Sequence, residues 1–259
     1  MRVKIIIFFI QNEKRTFSFN YNNILQKKKY VSKTLNSIFS QSYKNYEIVF
    51  VYDDSNKADL NFIIKSLSIF NKKKIIVNNK NLGVSKSRNI ALKNCRGKYI
   101  AFIDSDDIWK KNKLSKQIQF MEKKLLYFSF SSYNIVNSQG KIISKRYVKK
   151  DPKYENLLRK NIIGLSTVIV SKKIVKEIKF PLLKTQEDFV VWLNLLKKGY
   201  RLSHLPSVLS SWRSTKDSLS SNTFQKILDA FKLYYIYQKK NLILSVYSVI
   251  VLGYNKLFK

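Results

Sequence analysis

Asp104, Ser105, Asp106 and Asp107 follow directly on an apolar run, Lys98-Tyr99-Ile100-Ala101-Phe102-Ile103. Acids are scarce in this chain, 16 Asp and Glu against 50 Lys and Arg, so three of them within four residues need a reason. Carboxylates crowded at the end of a buried strand repel one another, and burying an unpaired one is costly. A divalent cation removes that cost, and carboxylate oxygens are hard donors that suit Mg²⁺ or Mn²⁺. The competing use is structural, with Asp106 or Asp107 capping the helix that follows. Two other acidic pairs stand out. Asp53-Asp54 ends a second apolar run, and Glu187-Asp188 opens a strongly apolar one, Phe189 to Leu196. Acids there are also ordinary partners of a helix dipole.

The elements that must position these residues alternate through the first hundred positions. Apolar runs at Val3 to Ile10, Tyr46 to Tyr52, Lys74 to Val77 and Tyr99 to Ile103 read as strands. Between them, Val31, Leu35, Ile38 and Phe39 mark a helix over Tyr30 to Gln41, Leu60 to Leu67 marks a second, and a third follows Gly83. Alternating β and α elements predict an α/β fold with a mostly parallel sheet and helices on both faces. Ligands in such sheets bind beyond the carboxyl ends of strands, where both Asp53-Asp54 and Asp104-Asp107 fall.

Further along, Leu114 to Leu125 predicts a helix. Tyr127 to Val136 and Lys141 to Val148 predict a hairpin around Ser138-Gln139-Gly140, and Leu165 to Val170 a strand. The helix at Glu187 should stop at Gly199. Two short strands are expected at Tyr200 to Leu205 and Val208 to Arg213, then helix from Phe224 onward. Residues 11–29, polar and rich in Asn and Lys, read as an insertion or long loop. The expected organisation is one catalytic domain over 1–222 and a basic, apolar helical tail over 223–259.

Composition limits the chemistry. At 259 residues with 45% apolar side chains, the chain can bury a full core despite its charge. One cysteine, Cys95, allows no internal disulfide, and one histidine, His204, nearly excludes a zinc site built on several His or Cys ligands. His204 fits no motif and reads as a surface or core residue. The net charge of +34 points to a polyanionic partner: nucleic acid, an anionic membrane surface or a phosphorylated substrate. The joint excess of Lys, Asn, Ile, Phe and Tyr, all with A/T-rich codons, is a second source of that charge. The run Ile5 to Ile10 is too short for a signal segment, and Asn241 to Tyr254 falls below the roughly 20 residues of a membrane span.

Taken in order, Asp53-Asp54, Asn81-Leu82-Gly83-Val84-Ser85-Lys86-Ser87-Arg88-Asn89, Asp104-Ser105-Asp106-Asp107, Gln186-Glu187-Asp188 and Trp212-Arg213 form a set. With Leu35 to Ile38, Gln41 to Ile48, Asn161 to Val168 and Asp217 to Ser221, the chain resembles the family 2 glycosyltransferases of the GT-A fold. It is most similar to bacterial members that build surface polysaccharides, such as teichuronic acid. The resemblance runs from about Tyr30 to Asn222. It implies a Rossmann-like GT-A domain and transfer of a sugar from a nucleoside-diphosphate sugar, a UDP-sugar first, to a hydroxyl of a glycan or lipid-linked acceptor. It implies Asp106 as a ligand of Mn²⁺ or Mg²⁺, Asp104 beside the ribose, and Asp53 or Asp54 beside the base. Arg88 and Arg213 are implied near the nucleotide or its diphosphate, with a core aromatic as the alternative for Trp212. Asp188 is implied as the catalytic base of an inverting reaction.

Two departures accompany the resemblance. The family's Pro-x-Tyr/Phe-Asn after the first strand is absent, since Ile10-Gln11-Asn12 stands there. The Gln-x-x-Arg-Trp motif of processive members is absent too, which implies transfer of a single sugar. The tail mixes Lys with Phe, Leu, Ile and Tyr as an interfacial helix does, or as a helix packed on the domain with Lys toward water. The first alternative implies a cytoplasmic enzyme held at the inner face of the membrane. A nucleic-acid-binding protein and a metal-dependent nucleotidyltransferase are the competing functions. The first leaves the acids unexplained and the second has no use for Glu187-Asp188, so no nucleic-acid partner is expected.

Overall fold

A computed structural model describes residues 3–10, 21–215 and 222–258, with side chains described for 28–215 and 222–255. The first half is built as the alternation predicts. Strands β1 (Val3–Ile10), β2 (Tyr46–Asp53), β3 (Lys73–Val77) and β4 (Tyr99–Asp104) alternate with helices α1 (Tyr21–Phe39), α2 (Leu60–Leu67) and α3 (Val84–Lys93). Strands β1, β2, β3 and β4 pair parallel in the order β3-β2-β1-β4. Ile48, Phe50, Tyr52, Tyr99, Ala101 and Ile103 face one core with α1 and α2, while Val49, Val51, Ile100 and Phe102 face the other with α3. That alternation is the period-2 pleat of strands buried on both sides.

Residues 21–29 form the opening turns of α1, which corrects their reading as part of a loop. Residues 11–20 lie outside the described residues, as does the whole Asp217–Ser221 motif.

The second half makes the sheet mixed. It holds β5 (Ile108–Trp109), β6 (Phe128–Val136), β7 (Ile142–Arg146), β8 (Ile169–Ser171) and β9 (Ser203–Arg213), with helices α4 (Lys113–Lys123), α5 (Tyr154–Arg159) and α6 (Glu187–Lys197). The sheet continues β4-β8-β6-β9-β5. Strand β8 is antiparallel to β4 and β6, β9 parallel to β6, and β7 pairs with β6 as the expected hairpin.

Two expectations change here. Residues 165–167 form a 3-10 turn, so β8 is shorter than expected. The two short strands after Gly199 are one strand, β9. Its register jumps from Ser131↔Leu205 to Ser132↔Val208, so Pro206 is carried as a bulge instead of ending the strand.

The tail comprises α7 (Thr223–Lys232), a π-helical turn at Leu233–Tyr237 and α8 (Leu242–Phe258). Leu233 and Tyr234 are fully buried in the core that also holds Trp192 of α6, and the Tyr234 hydroxyl donates to the Leu158 carbonyl at 2.7 Å. This part of the tail is thus integral to the domain.

Candidate active site

Register along β1 brings the two acidic clusters to one edge: Phe8 pairs with Asp104 and Ile10 with Asp53. β1 lies between β2 and β4, where the direction of winding reverses, and that reversal opens the crevice.

Asp53 is buried and its carboxylate is fully engaged. Oδ1 accepts from Asn78 Nδ2 (2.7 Å) and the Leu82 amide (2.8 Å), and Oδ2 accepts from the Gly83 amide (2.8 Å). Gly83 has φ +83°, a conformation glycine adopts without strain, and it starts α3. Asp53 therefore shapes the loop before α3. Asp54 beside it accepts from the Asn56 amide at 2.9 Å.

The polar residues of the Asn81–Asn89 motif then draw a distant segment in. Ser85 donates to the Leu183 carbonyl (2.9 Å). The Asn89 side chain exchanges two hydrogen bonds with the Phe180 backbone (2.8 and 2.9 Å). Arg88 pairs with Glu187, and its Nη2 donates to Asp104 Oδ1 at 2.9 Å. Burial opposes the charge on Arg88, but Glu187 and Asp104 outweigh it and hold its pKa above the usual value. One guanidinium thus fixes the N-terminus of α6 against the end of β4. It meets two carboxylates directly, and Asp188 follows Glu187 in the same first turn.

The Asp104–Asp107 turn separates into roles. Asp107 is buried. Its Oδ2 accepts from Ser166 Oγ (2.5 Å) and Oδ1 from the Arg213 amide (2.9 Å), while Thr34 Oγ1 reaches the Asp107 carbonyl (2.7 Å). Neither Asp106 nor Asp107 caps a helix, since β5 intervenes and α4 begins after Asn112. That overturns the capping alternative. Asp106 gives the fold only its carbonyl, which accepts from Arg213 Nε at 2.9 Å. Among the described residues no side chain donates to its carboxylate. Burial first, then Asp104, raise its pKa to about 7. Asp188, partly exposed in the first turn of α6, is also raised to about 7, by burial and then by Glu187, with Arg88 opposing. Asp104 contributes to the upward shift of Asp106, Asp107, Glu187 and Asp188 alike, so the structure gathers these acids around one space.

Arg213, expected near the diphosphate or the acceptor, is held by the fold through most of its guanidinium. It is 1% exposed, lies 4.4 Å over the Tyr30 ring, and donates from Nη1 to the Asn137 and Ser138 carbonyls at 3.0 and 3.2 Å. It braces the acidic turn against the β6–β7 hairpin. Trp212 is half-buried and outside both cores. His204 lies away from the acids, packed 5.2 Å from Phe130 with Nε2 3.0 Å from Ser132 Oγ.

Sequence reading missed Ser166, whose Oγ also accepts from the Asp104 amide at 3.1 Å, and Asp229 of α7. Asp229 Oδ2 accepts from the Thr185 amide and hydroxyl (2.9 and 3.0 Å), and Gln186 donates to the Lys226 carbonyl (3.1 Å), so α7 steadies the approach to Asp188. Ser166 lay inside a quoted motif; no local pattern singles out Asp229.

The donor set fits a hard divalent cation. It offers carboxylate oxygens that repel one another, with Cys95 buried elsewhere and His204 remote. No cluster of three or more potential ligands surrounds a single point among the described residues. A cation would therefore be held by one or two carboxylates and completed by water and donor phosphates, as Mg²⁺ commonly is.

The model of glycosyl transferase family 2 matches residues 19–175. The chain belongs to glycosyltransferase family 2. Among its relatives, this family 2 enzyme is 31% identical over 211 residues to the putative teichuronic acid biosynthesis glycosyltransferase TuaG of Bacillus subtilis, covering 81% of this chain and 82% of that one. It is 37% identical over 202 residues to the β-1,3-glucosyltransferase WfaP of Escherichia coli, covering 75% and 76%. The fold is that of S. aureus TarS residues 1–349, solved with UDP-GlcNAc (TM-score 0.74, 19% identity, 100% of this chain and 76% of that one). It is also that of the mannosyltransferase PcManGT of Pyrobaculum calidifontis, solved with GDP-Man and Mn²⁺ (TM-score 0.67, 13% identity, 99% and 70%). The expected GT-A fold and family are thereby established, and the glycosyltransferase is an enzyme of nucleotide-sugar transfer.

Proposed function

We propose that this glycosyltransferase moves a single sugar from a UDP-sugar to a hydroxyl of a glycan or lipid-linked acceptor, with inversion at the anomeric carbon. The observation that carries the reading is the convergence of Asp104, Asp106 and Asp188 across the Arg88–Glu187 pair. Asp188 takes the proton from the acceptor hydroxyl. Its oxygen bonds to the anomeric carbon as the bond to the diphosphate breaks, and the nucleoside diphosphate leaves with the electron pair. Asp106, with Asp104 beside it, would hold Mn²⁺ or Mg²⁺, which when bound neutralises charge on the departing diphosphate. The base lies by Asp54 and the open depression lined by Val77, Asn78, Asn79, Lys80 and Leu82, with Asp53 shaping the loop beneath. Arg88 and Arg213 act by holding Asp104 and the Asp106 carbonyl where the donor binds.

The relatives support the substrate class. WfaP is named for transfer of glucose from UDP-Glc to GlcNAc-diphosphoundecaprenol, a lipid-linked acceptor. TarS was solved with UDP-GlcNAc, and PcManGT with Mn²⁺. No helix among the described residues is long and apolar enough to cross a membrane. A cytoplasmic enzyme working at the inner membrane face is the location proposed with such an acceptor.

The test is release of nucleoside diphosphate from a panel of sugar nucleotides with Mn²⁺ and acceptor lipid. Release that requires Asp106 and Asp188 supports the reading. Release of inorganic pyrophosphate from a nucleoside triphosphate and a sugar phosphate, with no nucleoside diphosphate released from the sugar nucleotides, would make the protein a nucleotidyltransferase.

A further inference from the structure

Helix α8 carries more apolar surface outward than it buries. Its inward face is mixed: Ser245 and Ser248 are 0% and 8% exposed and Asn255 is buried, while Val249 and Leu252 are partly buried against the core. Ser245 Oγ donates to the Asn241 carbonyl (2.8 Å), Lys240 Nζ donates to Ser248 Oγ (2.9 Å) and Asn255 Nδ2 donates to the Arg159 carbonyl (3.3 Å). Its outward positions are large and apolar: Ile243 is 78% exposed, Tyr247 63%, Ile250 63% and Tyr254 56%, with Val246 beside them. Positions 243, 246, 247, 250 and 254 follow the helical period, so they form one continuous stripe. A helix that only packed on a soluble domain would carry polar side chains along that outward stripe.

Charge selects the occupant. Residues 223–258 contain five lysines, at 226, 232, 239, 240 and 256, and one acid, Asp229. Asp229 is 1% exposed and engaged by Thr185 and Gln225. A second copy docked on the same stripe would bring lysines against lysines with no exposed acid of the segment to meet them. A surface of anionic headgroups over acyl chains matches both the stripe and the net positive charge of the segment. Tyrosines on such a stripe sit well at the headgroup level. With 17 residues α8 is about 26 Å long, and it does not qualify as a span, so it would lie in the plane.

We propose that the outward stripe of α8 is an in-plane docking surface for an anionic bilayer. This deepens the proposed membrane location but uses none of the donor-site residues. Through Asp229 and Thr185 the tail is tied to the segment that opens α6, so docking would set Asp188 at a fixed height over the lipid surface.

The test is co-sedimentation of the full chain with vesicles of phosphatidylglycerol and phosphatidylcholine, against phosphatidylcholine alone. Binding is expected with the anionic vesicles only, weakening as salt rises, and falling at least ten-fold in the Ile243→Gln/Tyr247→Gln/Ile250→Gln variant. As a second measurement independent of that variant's folding, an environment-sensitive dye on Ile250→Cys should shift to the blue with anionic vesicles; the native Cys95 is buried. Absence of binding, equal binding by the triple variant, or an unshifted dye would overturn the proposal. So would a dimer seen by light scattering that the triple variant abolishes, since that would assign the stripe to a second copy. Donor turnover is measured separately, with acceptor lipid in detergent and no vesicles, so failure of the sugar-transfer reading leaves the vesicle result intact.

Discussion

Arg88 on α3 and Glu187 on α6, 99 positions apart, form a buried ion pair whose guanidinium also holds Asp104 at the end of β4. This pair is the joint between the two halves of the sheet's catalytic edge. Removing the guanidinium leaves Glu187 buried without its counter-charge and Asp104 without its donor. Arg88→Met should lower stability by about 3–5 kcal/mol in denaturant unfolding, the usual cost of breaking a buried pair from one side. Arg88→Lys should recover little, because an ammonium cannot serve two carboxylates in the geometry of a planar fork.

Asp106 and Asp107 are neighbours with opposite expected phenotypes. Asp106 supports the fold through its carbonyl alone, so Asp106→Ala should keep the thermal midpoint while abolishing Mn²⁺-dependent transfer. Asp107 anchors Ser166 Oγ and the Arg213 amide, so Asp107→Ala should cost about 1–3 kcal/mol of stability by leaving buried donors unmet. Parallel melting curves and activity assays distinguish the two. Chelation with EDTA should reproduce the Asp106→Ala activity without moving the midpoint by more than bound-metal linkage allows.

Asp188→Asn should reduce kcat by about 10²–10⁴-fold, the range of a lost general base, with donor affinity little changed. The pH profile follows from the raised carboxyl. The base acts as the carboxylate, and in the free enzyme its pKa stands at about 7 through burial and Glu187. Activity as kcat/KM should therefore rise with pH through about 7 and flatten above it. A profile already flat from pH 5 upward would remove Asp188 from the role.

Lys113 is fully buried, 4.5 Å from the Trp109 ring centroid, with its Nζ donating to Gln117 Oε1 at 2.9 Å. Burial lowers its pKa well below 10.5. Between that lowered value and 10.5 the unfolded chain binds a proton that the folded chain does not. Stability should then rise with pH across that window, by up to about 1.4 kcal/mol per pH unit. Lys113→Met should remove that rise, as read from urea unfolding at several pH values.

The β/α alternation and the positions of the acids were legible because strands buried on both faces are written as unbroken apolar runs. Ile48 to Tyr52 and Tyr99 to Ile103 are such runs, and the acids end them. Less was legible where polar residues carry the structure. Residues 21–29 read as a loop because Asn and Lys dominate them, yet they open α1. Tyr200 to Leu205 and Val208 to Arg213 read as two strands, yet a bulge at Pro206 joins them into one. In α8 the inward face mixes Ser245, Ser248 and Asn255 with Val249 and Leu252, and apolar residues also face outward, so period alone could not tell which face was buried.

The sequence by itself marked the acidic clusters as candidates and put two of them at strand ends and one at a helix start, since residue type and local period are properties of neighbours along the chain. Only the tertiary structure decided how those residues divide the work. Asp53 is spent on the Asn78–Gly83 loop, Asp107 on Ser166 and Arg213, and Arg213 on the hairpin carbonyls, leaving Asp104, Asp106 and Asp188 for the crevice. A carboxylate or guanidinium takes its role from the partners that reach it, and here those partners come from as far as 107 positions away.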